Sequence, residues 1–503
     1  MCSATAEPLL RRDASAPDAA AAYALARPAR WFAQKHRAPT ALAIVDRCAY
    51  RAPWGEAGWW LLLQVEPGGT VYSLTLAGDA DGAWRLTDPA AFIEAVRAAP
   101  LTSDRGAVLH YKGASGPATR DYALLDGGDS SNSLFRMTLA GESVVAKFFR
   151  KLDGCGADEV ATIAALRPLM PALFGRIDYR PARGESAVLA SVMEFIPGDA
   201  AYRPYQAAAR TVLAGLRREA IGESADEDHA LPEIGARIGR AVAALHALAE
   251  ARRPAGQETL PLILDDRLAA LAERCDRLGA LIAEAPPLEG SAPAAALPAI
   301  VARLQTLAAC AGPGSSRLAP SFGHGDLHLS HILLGDGVCR IIDPARALTA
   351  PRLEGHGLTD LFQLHRGFEC FAFDEAATAI ERAEGLTRDD AAARLALAPV
   401  DGPSFASRCK RFAFAWPARV VAAIEHAYRA AIDPASAAAL DDPAWRAVFY
   451  LERLAHEMDY NLRYDRRFFR WCDLAYLDHF ARRPAASPLE PRPIEGCAAH
   501  VVY

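Results

Sequence analysis

The feature that most constrains this chain is the stretch His324-Gly325-Asp326-Leu327-His328-Leu329-Ser330-His331, followed by the apolar runs Ile332-Leu333-Leu334 and Ile341-Ile342, the second closed by Asp343. Two aspartates bracketing a tight hairpin of short apolar strands suit phosphoryl transfer. One Asp orients and deprotonates a hydroxyl, and the other holds the metal that neutralises nucleotide phosphates. A lone Asp at a strand end is usually a turn former, but the pair, set beside histidines, asks for a reactive loop.

A chain of 503 residues is too long for one ordinary core, so two or three domains are expected. The net charge of -6 and the absence of any long basic block argue against nucleic acid as a partner. The ten cysteines are scattered with no CxxC pair, which predicts reduced thiols rather than a zinc site or a disulfide framework. No apolar run reaches the roughly 18–20 residues of a membrane span, and Glu7, Arg11, Arg12 and Asp13 interrupt any signal-peptide pattern. A soluble, cytoplasmic protein with no membrane partner is expected.

Along the chain the pattern changes once. Runs at 41–45, 59–65 and 70–76 read as strands between Gly and Pro, and 88–99 as a helix with Asp88 as N-cap and Pro89 at its first position. Residues 120–125, 134–139, 143–149 and 187–195 read as further strands, with a helix over 158–166. Beyond Ile196-Pro197-Gly198 the chain turns helical. Ile234, Ile238, Val242, Leu245 and Ala249 form one apolar stripe, and 265–283, 298–309 and most of 360–480 follow the same period. The expected class is α+β: a strand-rich lobe, then a helical lobe carrying the Asp pair, as a two-lobed kinase requires.

In the strand-rich part, Asp126-Gly127-Gly128-Asp129-Ser130-Ser131-Asn132-Ser133 joins two predicted strands, and its small residues let backbone N–H groups approach phosphate. Val144-Val145-Ala146-Lys147-Phe148-Phe149 then sets one lysine in an apolar strand, and Glu159 opens the next helix. A lysine so placed pairs with phosphates and with a helix glutamate. The bland alternatives are a plain hairpin turn and a strand-edge lysine with a solvated head. In the helical part Asp326 is assigned as base and Asp343 as the Mg2+ ligand. His324 and His328 could brace the loop through backbone carbonyls, the role preferred for His324; a transition-metal site from His324, His328 and His331 is the lesser alternative, which Mg-type chemistry does not need. His246 reads as a satisfied core histidine.

With these residues in place, the chain resembles the aminoglycoside-phosphotransferase-like kinases, and more closely the maltokinases and bacterial glucosamine kinases. The similarity rests on the 324–331 loop, on Ser131-Asn132-Ser133, on Ala146-Lys147-Phe148-Phe149-Arg150-Lys151-Leu152, on Met193-Glu194-Phe195-Ile196-Pro197-Gly198, and on Arg30-Trp31-Phe32-Ala33-Gln34-Lys35-His36-Arg37 near the start. Thr359-Asp360-Leu361 with Arg366-Gly367-Phe368 resembles the helix that follows the metal loop in that group. The resemblance implies a protein-kinase-like fold with a cap domain at 23–110, a kinase N-lobe at 111–197 and a helical C-lobe at 198–485, while the Ala-rich residues 1–22 read as disordered or loosely helical and the Pro-rich tail 486–503 as extended. It implies ATP and Mg2+ as cofactors and a small sugar as acceptor. ATP would meet Ser131, Asn132, Ser133, Lys147, Glu159 and the hinge Glu194, Phe195 and Ile196. The sugar would meet His328, Tyr460, Tyr464, Asp465 and Trp471.

The chain departs from that group at three places. His331 stands where the group has an oxygen donor for the metal, Asp343-Pro344-Ala345 lacks its second carboxylate, and Asn461 replaces an acid in the aromatic segment Tyr460-Asn461-Leu462-Arg463-Tyr464-Asp465. The leading expectation is an ATP-dependent sugar kinase. The alternatives are an impaired nucleotide- or sugar-binding protein, and a phosphotransferase for another small alcohol such as an aminoglycoside. Which sugar is used, and the oligomeric state, are not legible in the sequence.

Overall fold

The computed structural model describes residues 16–29, 31–32, 38–78, 83–117, 121–125, 132–152, 155–217, 230–284, 302, 317–335, 337–350, 352–353, 355–463 and 465–482. The chain divides into two compact units at Pro197/Gly198.

Among the described residues, the first unit holds two antiparallel sheets and three helices. Strands β1 (Ala41–Arg51), β2 (Ala57–Glu66), β3 (Thr70–Gly78) and β4 (Trp84–Leu86) form a meander in the order β1-β2-β3-β4. Strands β5 (Leu101–Thr102), β6 (Val108–Gly113), β7 (Tyr122–Leu125), β8 (Ser133–Leu139), β9 (Glu142–Phe148), β10 (Leu173–Arg180) and β11 (Ala187–Glu194) form a second sheet in the order β5-β6-β10-β11-β9-β8-β7. Helices α1 (Ala19–Ala26), α2 (Ala90–Ala98) and α3 (Cys155–Ala165) complete the unit. The expected strands are present, with ends that differ by a few residues. Strand β10 is an addition, and β6 runs across the 110/111 boundary into the seven-stranded sheet.

One local expectation is corrected. Helix α2 starts at Ala90 with Pro89 as its N-cap and no side-chain cap bond, so Asp88 is not the cap. The proline has no N–H to satisfy and fixes its own φ, which starts the helix without help. Within the segment expected to be disordered or loosely helical, the described residues begin at 16 and enter helix α1 at Ala19. Asp18 caps α1 through Ala21 N at 2.7 Å, and Ala22, Tyr23 and Ala26 are buried. Tyr23 meets Phe32 edge-on, and Phe32 stacks on Tyr72 with ring centroids 4.4 Å apart.

One apolar core runs through both sheets. Trp60 and Leu62 from β2, Phe92 and Val96 from α2, Phe148 from β9, Ile177 from β10 and Leu189 from β11 belong to the same cluster. The rings of Trp60 and Phe92 stack at 5.9 Å, and Phe92 meets Phe148 edge-on. The segment after β9 also bonds to the first sheet: Ser73 N donates to Arg150 O at 2.9 Å, and Leu152 N donates to Val71 O at 2.9 Å. Arg150 is only 4 % exposed. Its guanidinium lies 4.9 Å from the Trp31 ring centroid and donates to Ser133 Oγ at 2.9 Å. Burial lowers its pKa to about 10, so it stays charged at neutral pH.

The second unit is mainly helical: α4 (Tyr202–Arg217), α5 (Ala230–Ala251), α6 (Leu264–Glu284), α7 (Leu358–Glu384), α8 (Arg388–Leu397), α9 (Phe405–Arg429), α10 (Pro434–Asp441), α11 (Pro443–Arg463) and α12 (Arg467–Arg482). Starts follow the capping rules. Thr387, Ser404 and Asp433 cap α8, α9 and α10 through side-chain oxygens, with Pro434 opening α10. Helices α5 and α9 approach closely at Gly239, where a Cβ would lie 2.2 Å from Ile424 O. That contact carries His246 against Tyr428, which matters below.

The remaining strands of this unit are short: β12 (Asp199–Ala200), β13 (Glu258–Thr259), β14 (Leu262–Ile263), β15 (Arg317–Leu318), β16 (Ile332–Gly335), β17 (Val338–Ile341) and β18 (Arg352–Leu353). The expected hairpin is β16-β17, with Ile332 opposite Ile341 and Gly335 opposite Val338, and β12 pairs on its other side. Of the helix expected over 298–309, all but Ala302 lies outside the described residues, as do the tail 486–503 and residues 1–15. Among the described residues no helix is long and apolar enough to cross a membrane.

Candidate functional site

The loop that carries Asp326 hangs from the first turns of α7. Asp360 is fully buried and accepts from His324 N at 2.6 Å and from Gly325 N at 3.0 Å. One turn on, Gln363 accepts from Leu327 N at 2.8 Å and donates to Gly325 O at 2.6 Å. Gly325 sits at φ +88, and a Cβ there would lie 2.6 Å from the Arg346 side chain, so the turn requires glycine on both counts. His246 Nε2 donates to Asp360 Oδ2 at 2.9 Å, and its Nδ1 accepts from Tyr428 OH at 2.8 Å. Burial works to raise the Asp360 pKa, but the bond from His246 and the neighbouring donors outweigh it and hold the carboxyl below its usual value. His246 is thus a satisfied histidine between α5, α7 and α9, as expected of a core or interface position, and it braces the loop at one remove.

The two halves of the hairpin are laced together. Ile342 N donates to His331 O at 2.9 Å, and Ala345 N and Arg346 N donate to His324 O at 2.8 and 3.1 Å. His324 Nε2 donates to Ile342 O at 2.7 Å, and its Nδ1 accepts from Asp326 N at 3.3 Å. Burial lowers the His324 pKa, so the ring is neutral and occupied on both nitrogens. This is the bracing role expected for it.

Asp326 projects from this frame with its side chain 45 % exposed. Arg453 on α11 lies 3.4 Å from Asp326 Oδ1 and is itself anchored by Glu457 at 2.6 Å. Asp343 follows β17 at φ +59, a left-handed conformation that costs a non-glycine residue on the order of 1–3 kcal/mol. Its Oδ2 is 3.9 Å from His331 Nε2. The rings of His328 and His331 lie 3.6 Å apart, and burial followed by the His331 neighbour lowers the His328 pKa to about 4. Asp326, His328, His331 and Asp343 are therefore gathered at one place.

Lys147 and Glu159 meet in the first unit. Lys147 on β9 is paired with Leu134 on one side and Ser191 on the other, and its Nζ donates to both Glu159 oxygens at 2.9 and 2.8 Å. The side chains are 4 % and 11 % exposed, so the pair is largely desolvated. Breaking such a pair leaves a charge buried without its partner. Glu159→Ala is accordingly expected to destabilise the first unit by about 3 kcal/mol, read by chemical denaturation, with Glu159→Asp intermediate.

The other expected nucleotide contacts are partly placed. Asn132 Oδ1 accepts from Arg150 N at 3.3 Å, and Ser133 Oγ accepts from Arg150. The Glu194 carboxylate accepts from Ala172 N at 3.0 Å, and Arg136 covers the Phe195 ring at 4.3 Å, while Ile196 is half-buried. Ser131 and the loop 126–130 lie outside the described residues, as do Arg30 and 33–37.

Of the expected sugar contacts, Tyr460 is 45 % exposed, Asp465 is exposed at φ +50 and pairs with Arg470 at 2.8 Å, and Tyr464 lies outside the described residues. Trp471 is 3 % exposed and sits in the helical core. Asn461, which replaces an acid in this segment, does not face outward. It is buried and donates to Asp473 Oδ2 at 2.8 Å. Asp473 in turn accepts from Arg366, which also meets Glu369 and Glu457. Burial pushes Asp473 up to about 7 against the pull of Arg366. The change at Asn461 thus serves this buried network. Asp360, Gln363 and Arg453 were missed as site residues. Asp360 had entered only as part of a resembling segment, and local spacing carries no signal for Gln363 or Arg453.

His356, just ahead of α7, supplies a pH dependence. Its Nδ1 accepts from Leu358 N at 3.0 Å, and burial lowers its pKa to about 4. The unfolded ring titrates near 6.5, so the unfolded state binds more protons between the two values. Stability is lost as pH falls from about 6.5 to about 4, with about 3 kcal/mol at stake. Denaturation midpoints measured across that range are expected to fall more steeply for the wild type than for His356→Asn, whose amide oxygen still accepts from Leu358.

A sheet bearing a buried Lys–Glu pair, and a helical unit bearing an aspartate loop and a second aspartate after a short hairpin, are features of a protein-kinase-like fold. Residues 123–354 match the model of the phosphotransferase enzyme family. The fold extends beyond the match. A glucosamine kinase solved in complex with glucosamine, ADP and inorganic phosphate aligns at 19% identity and TM-score 0.53, covering 94% of this chain and 99% of the other. A second crystal form of glucosamine kinase aligns at 17% identity and TM-score 0.52 over the same shares. No curated protein sequence matches the chain.

Proposed function

We propose that the protein is an ATP-dependent kinase that transfers the γ-phosphate to a hydroxyl of a small saccharide of the glucosamine or maltose type. The observation that carries this reading is the pinned loop. Asp360 and Gln363 fix the backbone on both sides of Asp326 and leave its carboxylate half exposed, with Arg453 at 3.4 Å. A base so held can orient an acceptor hydroxyl and take its proton. Lys147, fixed by Glu159, supplies a cation for nucleotide phosphates. Asp343 offers the hard oxygen that Mg2+ needs alongside ATP phosphates, and the metal would neutralise their charge. His331 does not fit Mg2+, because imidazole is a poor donor for it. The similarity to a glucosamine kinase holding glucosamine and ADP supports an amino sugar first and maltose second.

The test is a coupled ADP assay with the full chain, MgATP or MnATP, and a panel of mono- and disaccharides with aminoglycosides included. ADP release above the no-acceptor rate with a sugar supports the reading, and equal rates with every acceptor overturn it. His331 and Ala345 favour a second reading, in which nucleotide binds without turnover. A nucleotide-induced rise in melting temperature with no ADP formed would select it.

A further inference from the structure

We propose that the Asp326 loop is also a binding site for a transition-metal dication of the Zn2+/Co2+ class, held by Nε2 of His331, the His328 imidazole and the Asp326 carboxylate. One ligand atom from each of these residues lies within 4.8 Å of the others. The tautomer of His331 is fixed. Its Nδ1 is 2.9 Å from Asp326 O, and a carbonyl only accepts, so Nδ1 carries the proton and Nε2 keeps its lone pair. An imidazole that donates through one nitrogen to a backbone carbonyl and offers the other is the usual form of a metal-ligating histidine. That lone pair is on the nitrogen 3.9 Å from Asp343 Oδ2, which places a further oxygen within reach of the same ion. His324 takes no part, because both of its nitrogens are engaged.

Two imidazoles and a carboxylate with a position left open match a borderline cation that takes nitrogen and oxygen donors, whereas Mg2+ prefers oxygen throughout. The site goes beyond the kinase reading, and it carries a regulatory consequence for it. An ion on Asp326 occupies the oxygen that would accept the acceptor's proton, so Zn2+ acts as an inhibitor at the loop.

The experiment is a titration of the metal-free full chain with Co2+, followed by visible absorption, without nucleotide or sugar. The expected result is one Co2+ per chain, displaced by equimolar Zn2+ and retained in a hundredfold excess of Mg2+. His331→Asn and His328→Asn are each expected to weaken binding by roughly tenfold or more. Cys370→Ser, in the second group of metal-compatible side chains formed by Cys370, Cys472 and Asp473, is expected to leave it unchanged. No stoichiometric Co2+ band, displacement by Mg2+ at equal concentration, retention of affinity in both histidine variants, or loss in Cys370→Ser would each overturn the proposal. Two histidine variants are used so that poor folding of one, seen by circular dichroism, still leaves a decisive measurement. Since turnover is not read, failure here leaves the kinase reading standing, and an inactive protein leaves the metal site standing.

Discussion

Replacing Asp326 with asparagine is expected to lower kcat about 10²–10⁴-fold while leaving nucleotide affinity within a factor of about two, because a positioned general base contributes on that scale. The substitution is nearly isosteric. The bonds that hold the loop come from Asp360 and Gln363 to backbone groups, and none depends on the Asp326 carboxylate. The amide oxygen also remains available to Arg453. Steady-state ADP release with the best acceptor, beside a fluorescent-nucleotide titration, separates the two quantities. A variant that turns over at the wild-type rate would remove Asp326 from the chemistry and leave the pinned loop a structural feature only.

Asp360→Ala is expected to be the most damaging single change outside the reacting groups. The side chain is completely buried and accepts from His324 N, Gly325 N and His246 Nε2. Its loss strands one buried and two partly buried donors and leaves a cavity beside them. Removing one member of a buried charged network costs about 3–5 kcal/mol, which for a unit of this size corresponds to a fall in melting temperature of roughly 5–15 °C. Turnover should fall further than stability explains, since misplacement of a reactive group by about 1 Å costs on the order of 10²-fold. Calorimetry and kinetics on the same preparation measure both. A melting temperature within about 2 °C of wild type, with normal turnover, would show that Gln363 and the hairpin hold the loop unaided.

The reach of the sequence follows from the range of the forces involved. The hairpin, Asp326, Asp343 and the Lys147–Glu159 pair were legible because each rests on local spacing: apolar runs, a strand lysine and a helix a dozen residues on. The strand β10 was not. Charges at Arg176, Asp178 and Arg180 interrupt its apolar pattern, yet Asp178 gathers Arg176, Arg180 and Lys112 into one cluster while Ile177 packs in the core. Asn461 was legible only as the replacement of an acid, and Trp471 was read as facing a sugar although it is buried. Only the folded chain brings Asp473 against Asn461. Arg453 meets Asp326 across more than a hundred residues, and no periodicity records such a contact.

The core shared by the two sheets of the first unit has a consequence for how the chain is made. Trp60 and Phe92 leave the ribosome well before Phe148, Ile177 and Leu189, the residues that share their cluster. At ordinary rates of synthesis the meander waits on the order of ten seconds with that apolar face uncovered. During that interval the nascent chain is a client for chaperones, and a ribosome that stalls between the two sheets releases a product prone to aggregate.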